Sequence, residues 1–178
     1  MQIVVPDEWK YLYASGHNPK VIKYPDARLR QPSRPIERVT KRVDFLANDL
    51  VRIMTKANGV GLAAPQVGVH QRVVVIAPDD LRPTALINPE VVSAEGEQIG
   101  QEGCLSVPGL YGDVVRAEKV EIRAYDRRGR ELVYELEGMP ARVALHEIDH
   151  LDGILFTDRA DAATLHWHDP DEPVTAVT

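Results

Sequence analysis

The chain has 178 residues and a single cysteine, Cys104. A lone cysteine excludes a disulfide framework within the chain and suits a reducing compartment, and it leaves one thiol to explain. Long apolar runs are absent. The longest, Val73 to Ala77, suits a buried strand and is far too short to cross a bilayer. The first twenty residues place Asp7 and Glu8 ahead of the first lysine, Lys10, and hold no apolar segment of secretory length. A cytoplasmic protein without membrane partners is therefore expected. Basic excess is missing too: 21 Lys and Arg against 27 Asp and Glu give a net charge of −6, which argues against a broad nucleic-acid face and a DNA partner. There is no internal repeat and no low-complexity block.

What remains is ordinary globular material, 44% hydrophobic and 27% charged. A chain of this length should form one domain and bury roughly 70% of its unfolded surface. Residues 1–20 are an extension without clear period, packed on the surface or partly ordered. Residues 160–178 are an acidic tail; from Thr157 onward there are five acids and one arginine.

Ile36, Val39, Val43, Leu46, Leu50 and Ile53 follow 3- and 4-residue spacing, which predicts a long amphipathic helix over 36–57. Pro35 suits its first position and Asn58-Gly59 its stop. Arg72–Ala77, Ala85–Asn88 and Val91–Glu95 read as strands. Lys119–Tyr125 and Glu131–Glu137 alternate and are joined by a hairpin turn at Asp126-Arg127-Arg128-Gly129. Residues 140–151 read as helix, with Pro140 at the start and Gly153 beyond the end. Helix, antiparallel strands and helix in that order make an α+β pattern.

Three segments carry chemistry. His146-Glu147-Ile148-Asp149-His150 puts two imidazoles at i and i+4 on one helix face, able to hold one metal ion, with a glutamate between them able to move protons. The alternative is a pair of surface histidines. A third ligand is needed. The metzincin pattern would place a histidine at position 156, which is Phe156, and the one later glutamate, Glu172, lies in the acidic tail. Cys104 remains, within Gln101-Glu102-Gly103-Cys104-Leu105-Ser106, either as an inert buried thiol or as a ligand. With both histidines and a water it would complete a tetrahedral site with an open position, suited to zinc or ferrous iron. Gly59-Val60-Gly61-Leu62-Ala63-Ala64-Pro65-Gln66 is a tight turn or a strand edge open to an added peptide strand, and Gln66 offers an amide donor for an oxyanion.

Together the three segments resemble the peptide deformylase family, whose motifs G-x-G-x-A-A-x-Q, E-G-C-L-S and H-E-x-D-H stand here in order at 59–66, 102–106 and 146–150. The resemblance runs from about Val21 to Arg159 and implies antiparallel sheets packed around a central metal-binding helix. It implies that residues 21–159 form the catalytic domain. Cys104, His146 and His150 would bind one divalent ion, Fe2+ in the cell, with Zn2+, Ni2+ or Co2+ as replacements. Glu147 would be the general acid and base, and Gln66 and the Leu105 N–H the oxyanion donors. Gly61 would bind the substrate backbone. Val60, Glu102, Met139 and Val143 would shape the methionine pocket. The implied substrates are N-formylmethionyl nascent peptides. Leu145 and Tyr111 stand where many bacterial members carry glutamine and arginine. The acidic tail cannot serve as the basic ribosome-docking helix of some members, so any ribosome contact is expected to be transient and of another kind. A metalloendopeptidase and a non-catalytic zinc-stabilised module are the competing readings. His166 and His168, flanking Trp167, are the spare ligands the latter would need, and they are expected to face solvent.

Overall fold

The structure is a computed structural model that describes residues 3–14, 16–78 and 82–170. Its organising strand is β2 (Val73–Ile76), four consecutive branched residues, all buried. Successive strand side chains point to opposite faces. Val74 and Ile76 therefore enter one core with Ala144, Ile148 and Leu151, while Val73 and Val75 enter another with Val43, Leu50 and Met54. Helix α1 (Lys41–Lys56) supplies the second set and helix α2 (Met139–Leu151) the first. The sheet is thus sandwiched between two helices.

That sheet has five antiparallel strands in the order β1 (Gly61–Ala63), β2, β3 (Thr84–Glu95), β6 (Lys119–Tyr125) and β7 (Glu131–Glu137). A second sheet orders β4 (Gln98–Cys104), β5 (Val107–Arg116) and β8 (His166–Trp167). Its core joins Leu29, Val107, Leu110, Val114, Leu155 and Phe156. The α+β class with antiparallel sheets holds. Among the described residues, no helix is long and apolar enough to cross a membrane.

The long N-terminal amphipathic helix is not found. Forty residues precede α1, which starts at Lys41 and not at Ile36. The reason lies in a distant side chain. Asn88 takes the Ile36 N–H at 2.8 Å and donates to the Ile36 carbonyl at 2.7 Å, holding that residue outside the helix. Ile36 and Val39 still pack on the α1 core, so the apolar stripe is used without being helical. The same Asn88 has φ 50°, and with Pro89 it produces an irregularity in β3 between Ile87 and Glu90. The two short strands expected there are one strand with a bulge.

β6 and β7 have the expected bounds. Their turn is set by Asp126 Oδ1, which accepts the N–H groups of Arg128 and Arg130, and by Gly129 at φ 77°. β4 and β5 were not foreseen as strands, since Pro108, Gly100, Gly103, Gly109 and Gly112 mask their pattern. Residues 7–13 form a 3-10 helix with Leu12 buried. Residues 171–178, including Glu172 and the end of the acidic tail, lie outside the described residues.

Candidate active site

Three elements meet at one point. α2 brings His146, Glu147 and His150 to its buried face. The end of β4 brings Glu102 and Cys104. β1 and the 3-10 turn that follows it, Ala64–Val67, bring Gly61 and Gln66. Cys104 Sγ, one nitrogen of His146 and one of His150 lie within 4.8 Å of one another, and among the described residues this is the one such group of three. Cys104 Sγ is 3.2 Å from His150 Nε2. His146 Nδ1 is 2.8 Å from Glu102 Oε2. A carboxylate only accepts, so Nδ1 carries the proton and Nε2 is the nitrogen left for the cluster. Sulfur and two imidazoles form a donor set suited to a soft or borderline divalent cation.

Glu102 is the hub of a buried charge network. It accepts from Arg116 Nε and Nη2, both at 2.9 Å, and from Arg142 Nη1 at 2.8 Å. Burial alone would raise its pKa, but the hydrogen bonds from Arg116 and His146 reverse this and hold the carboxyl well below the usual range. Asp149 bridges Arg116 and Arg159, accepting from Arg159 at 2.6 and 2.7 Å. Arg116 and Arg142 were missed by the sequence reading. Arg142 had a detectable signal: it lies one helical turn before His146, on the face of α2 that must be buried.

Glu147 is different. It is 4% exposed, and among the described residues its Oε2 has no hydrogen-bond partner. Burial, only partly offset by the charge of His146, pushes its carboxyl up to about 7. Burial also holds His150 well below its ordinary value, with His146 and Arg116 adding to the effect, so its ring is neutral and able to ligate. Gly61 faces Glu147 directly: a Cβ there would lie 2.3 Å from Oε1. Gln66 is oriented by the Ala63 N–H, which donates to Oε1 at 2.8 Å and turns its amide NH2 toward Ser106 Oγ at 3.1 Å and Cys104 Sγ at 3.5 Å.

A pocket opens beside the cluster, lined by Val60, Gly61, Leu105, Met139, Val143 and Glu147, with Gln66 and Glu102 also on its wall. Val143 is buried, whereas Val60 and Met139 are half exposed at the mouth. Every site residue singled out in the sequence therefore lies at this pocket or in the adjoining cluster. Glu102 contributes to the wall, but its carboxylate is committed to His146 and two arginines. Tyr111 lines the mouth, and Leu145 packs against the α2 core. His166 is exposed and His168 half-buried, and neither joins the metal-binding group.

The sequence profile of the family described as polypeptide deformylase matches residues 19–165. A peptide deformylase of Desulforudis audaxviator is 46% identical over 142 residues, covering 79% of this chain and 92% of that one. One of Thermomicrobium roseum is 47% identical over 165 residues, covering 88% and 94%. Among solved structures, the peptide deformylase of Legionella pneumophila superposes with a TM-score of 0.77 at 45% identity, covering 81% of this chain and 86% of that one. That of Synechococcus elongatus, in complex with actinonin, gives 0.76 at 40% identity over 79% and 78%. A profile spanning most of the chain, relatives near half identity and the same fold place this protein in the polypeptide deformylase family.

Proposed function

We propose that this chain hydrolyses the formyl group from the N-terminal formylmethionine of newly made polypeptides, releasing formate, with Glu147 as the proton-transfer group. The observation that carries the role of Glu147 is its buried Oε2, without a partner among the described residues, beside the Cys104–His146–His150 cluster, on a carboxyl that burial pushes up to about 7. A group with that value can both take and return a proton near neutral pH.

Cys104, His146 and His150 are the proposed ligands of one divalent ion, ferrous iron in the cell, with zinc, nickel or cobalt accepted by the same donors. When bound, the ion supplies Lewis acidity, polarising the formyl oxygen and bringing the pKa of a water to about 7. Glu147 takes a proton from the attacking water and delivers it to the departing amine nitrogen. The Gln66 amide and the Leu105 N–H donate to the oxyanion that develops on the formyl oxygen; one such donor is worth roughly 3 kcal/mol. Ala63 fixes the Gln66 amide before substrate arrives, so its orientation costs nothing at the reacting step.

Gly61 is proposed to bind the substrate backbone. It lies on β1, which is an edge of the five-stranded sheet, an arrangement that suits an added peptide strand. Val60, Met139 and Val143, with the Glu102 wall, are proposed to enclose the methionine side chain. Residues 21–159 are the proposed catalytic domain, working in the cytoplasm, where the Cys104 thiolate stays reduced. No DNA or membrane partner is proposed. Ribosome contact is proposed to be transient and not to use a basic C-terminal helix, since the segment from Thr157 carries five acids and one arginine. An endopeptidase or a closed four-ligand zinc module lacks its further ligand among the described residues.

The test is formate release from formyl-Met-Ala, with an unformylated peptide scored for internal cleavage as control. Formate from the first and no cleavage of the second is expected. Internal cleavage without formate would overturn the reading.

A further inference from the structure

Two segments lie outside the family match, one before residue 19 and one after residue 165. They grip each other. The rings of Trp9 and Trp167 stack with centroids 6.4 Å apart and 15° between planes. Tyr11 Oη donates to Asp169 Oδ2 at 2.8 Å. Both segments are seated on β5: His168 N–H donates to the Gly109 carbonyl at 2.8 Å, β8 pairs with Leu110 and Tyr111, and Leu12 fills the space beside Gly109.

The grip reaches the pocket. His17, Asn18 and Pro170 line it together with Tyr111. Tyr111 is flanked by the rings of His166 and His168, each with its centroid 6.2 Å away. Its ring also covers Gly103, its cross-strand partner, where a Cβ would come within 2.5 Å. Gly103 precedes Cys104. A continuous chain of contacts thus runs from Trp9 through Trp167 and the two histidines to an aromatic ring on the pocket wall.

We propose that this terminal clasp positions Tyr111 as part of a subsite for the peptide residues that follow formylmethionine, and that an aromatic side chain there is favoured. The wall it builds is aromatic, imidazole and amide, with the Asp169 carboxylate engaged by Tyr11. Such a surface rewards flat, uncharged groups. The inference rests on the deformylase reading and specifies what that site selects beyond methionine. Tyr111 is a specificity residue and Trp9, which does not line the pocket, a positioning residue.

The experiment compares kcat/KM for formyl-Met-Ala with formyl-Met tripeptides carrying phenylalanine or glycine at the second or third position. The wild type should prefer phenylalanine at one of these positions by about three- to tenfold, the range of one aromatic contact. Trp9→Ala should erase that preference through KM while leaving formyl-Met-Ala unchanged. Tyr111→Phe should keep the preference and Tyr111→Ala lose it, which preserves the test if Trp9→Ala fails to fold. No preference in the wild type, or equal losses on every substrate in Trp9→Ala, would overturn the proposal. Absence of formate from formyl-Met-Ala in the wild type would instead overturn the deformylase reading.

Discussion

Replacing Gly61 with alanine tests how closely β1 is set against α2. The new methyl carbon would lie 2.3 Å from Glu147 Oε1 and 2.9 Å from its Cγ and Cδ, where ordinary contact begins at 3.4 Å. A flexible, exposed glutamate could swing aside. Glu147 cannot do so cheaply, because it is 4% exposed and three of its atoms are hit at once. Either the carboxylate moves by about 1 Å or β1 does. Overpacking of this kind costs ~1–3 kcal/mol of stability. A misplacement of ~1 Å at a reacting centre can cost about a hundredfold in rate. The expected outcome is a fall in kcat for formyl-Met-Ala of about a hundredfold, with metal content unchanged, since the three atoms nearest the new methyl all belong to Glu147 and none to a proposed ligand. The assay is steady-state formate release beside elemental analysis of the same preparation. A Gly61→Ala enzyme with kcat within threefold of wild type would refute the idea that the glycine exists to admit the Glu147 carboxylate.

Three further outcomes are expected. Glu147 is raised from 4.5 to about 7 in the folded chain, so folding takes up a proton there; its unfavourable contribution is absent below about pH 4.5 and grows until about pH 7. Glu147→Gln should therefore stabilise the chelated protein at pH 8 by on the order of 3 kcal/mol, leave it unchanged at pH 4 in urea titrations, and abolish turnover of the metal-loaded enzyme; no gain at pH 8 would contradict this. Glu102→Ala leaves Arg116 and Arg142 buried without their shared carboxylate and should cost ~3–5 kcal/mol in thermal or urea unfolding, against which a wild-type melting temperature would count. Cys104→Ala should lose bound metal and, with it, the rise in melting temperature on adding the ion, and full metal occupancy would reject the ligand assignment.

The legible parts of this molecule were those set by local chemistry. Asp126 and Gly129 dictate the β6–β7 turn within five residues. Pro140 and Gly153 bracket α2. The three motifs place the histidine pair and its glutamate on one helix face by spacing alone, while the rest of the pocket, Met139 and Val143 included, followed only from the family resemblance those motifs carry. The illegible parts depend on partners far along the chain. Nothing near Ile36 announces that Asn88 will occupy its backbone and delay α1. β4 and β5 hide behind glycines that are needed for close approach: Gly103 must lie beneath Tyr111, and a Cβ on Gly112 would come within 2.8 Å of Leu165. The charge network is non-local too, since Arg116 and Glu102 meet across a hairpin and Asp149 joins them from α2.

That network bears on how the protein breathes. Glu102 and Arg116 belong to the small sheet, Arg142, His146 and Asp149 to the helix embedded against the large one, and the buried arginine–carboxylate contacts stitch the two together without exposed slack. Opening the β4–β5 hairpin from α2 would separate several buried charge pairs at once, which makes partial opening costly. Amide protons of the hairpin and of α2 should exchange as one cooperative unit, at the rate of global unfolding, while β7 and residues 7–13, which stand apart from the network, exchange earlier. The site is a fixed anvil, and whatever yields when a peptide arrives must belong to the mouth.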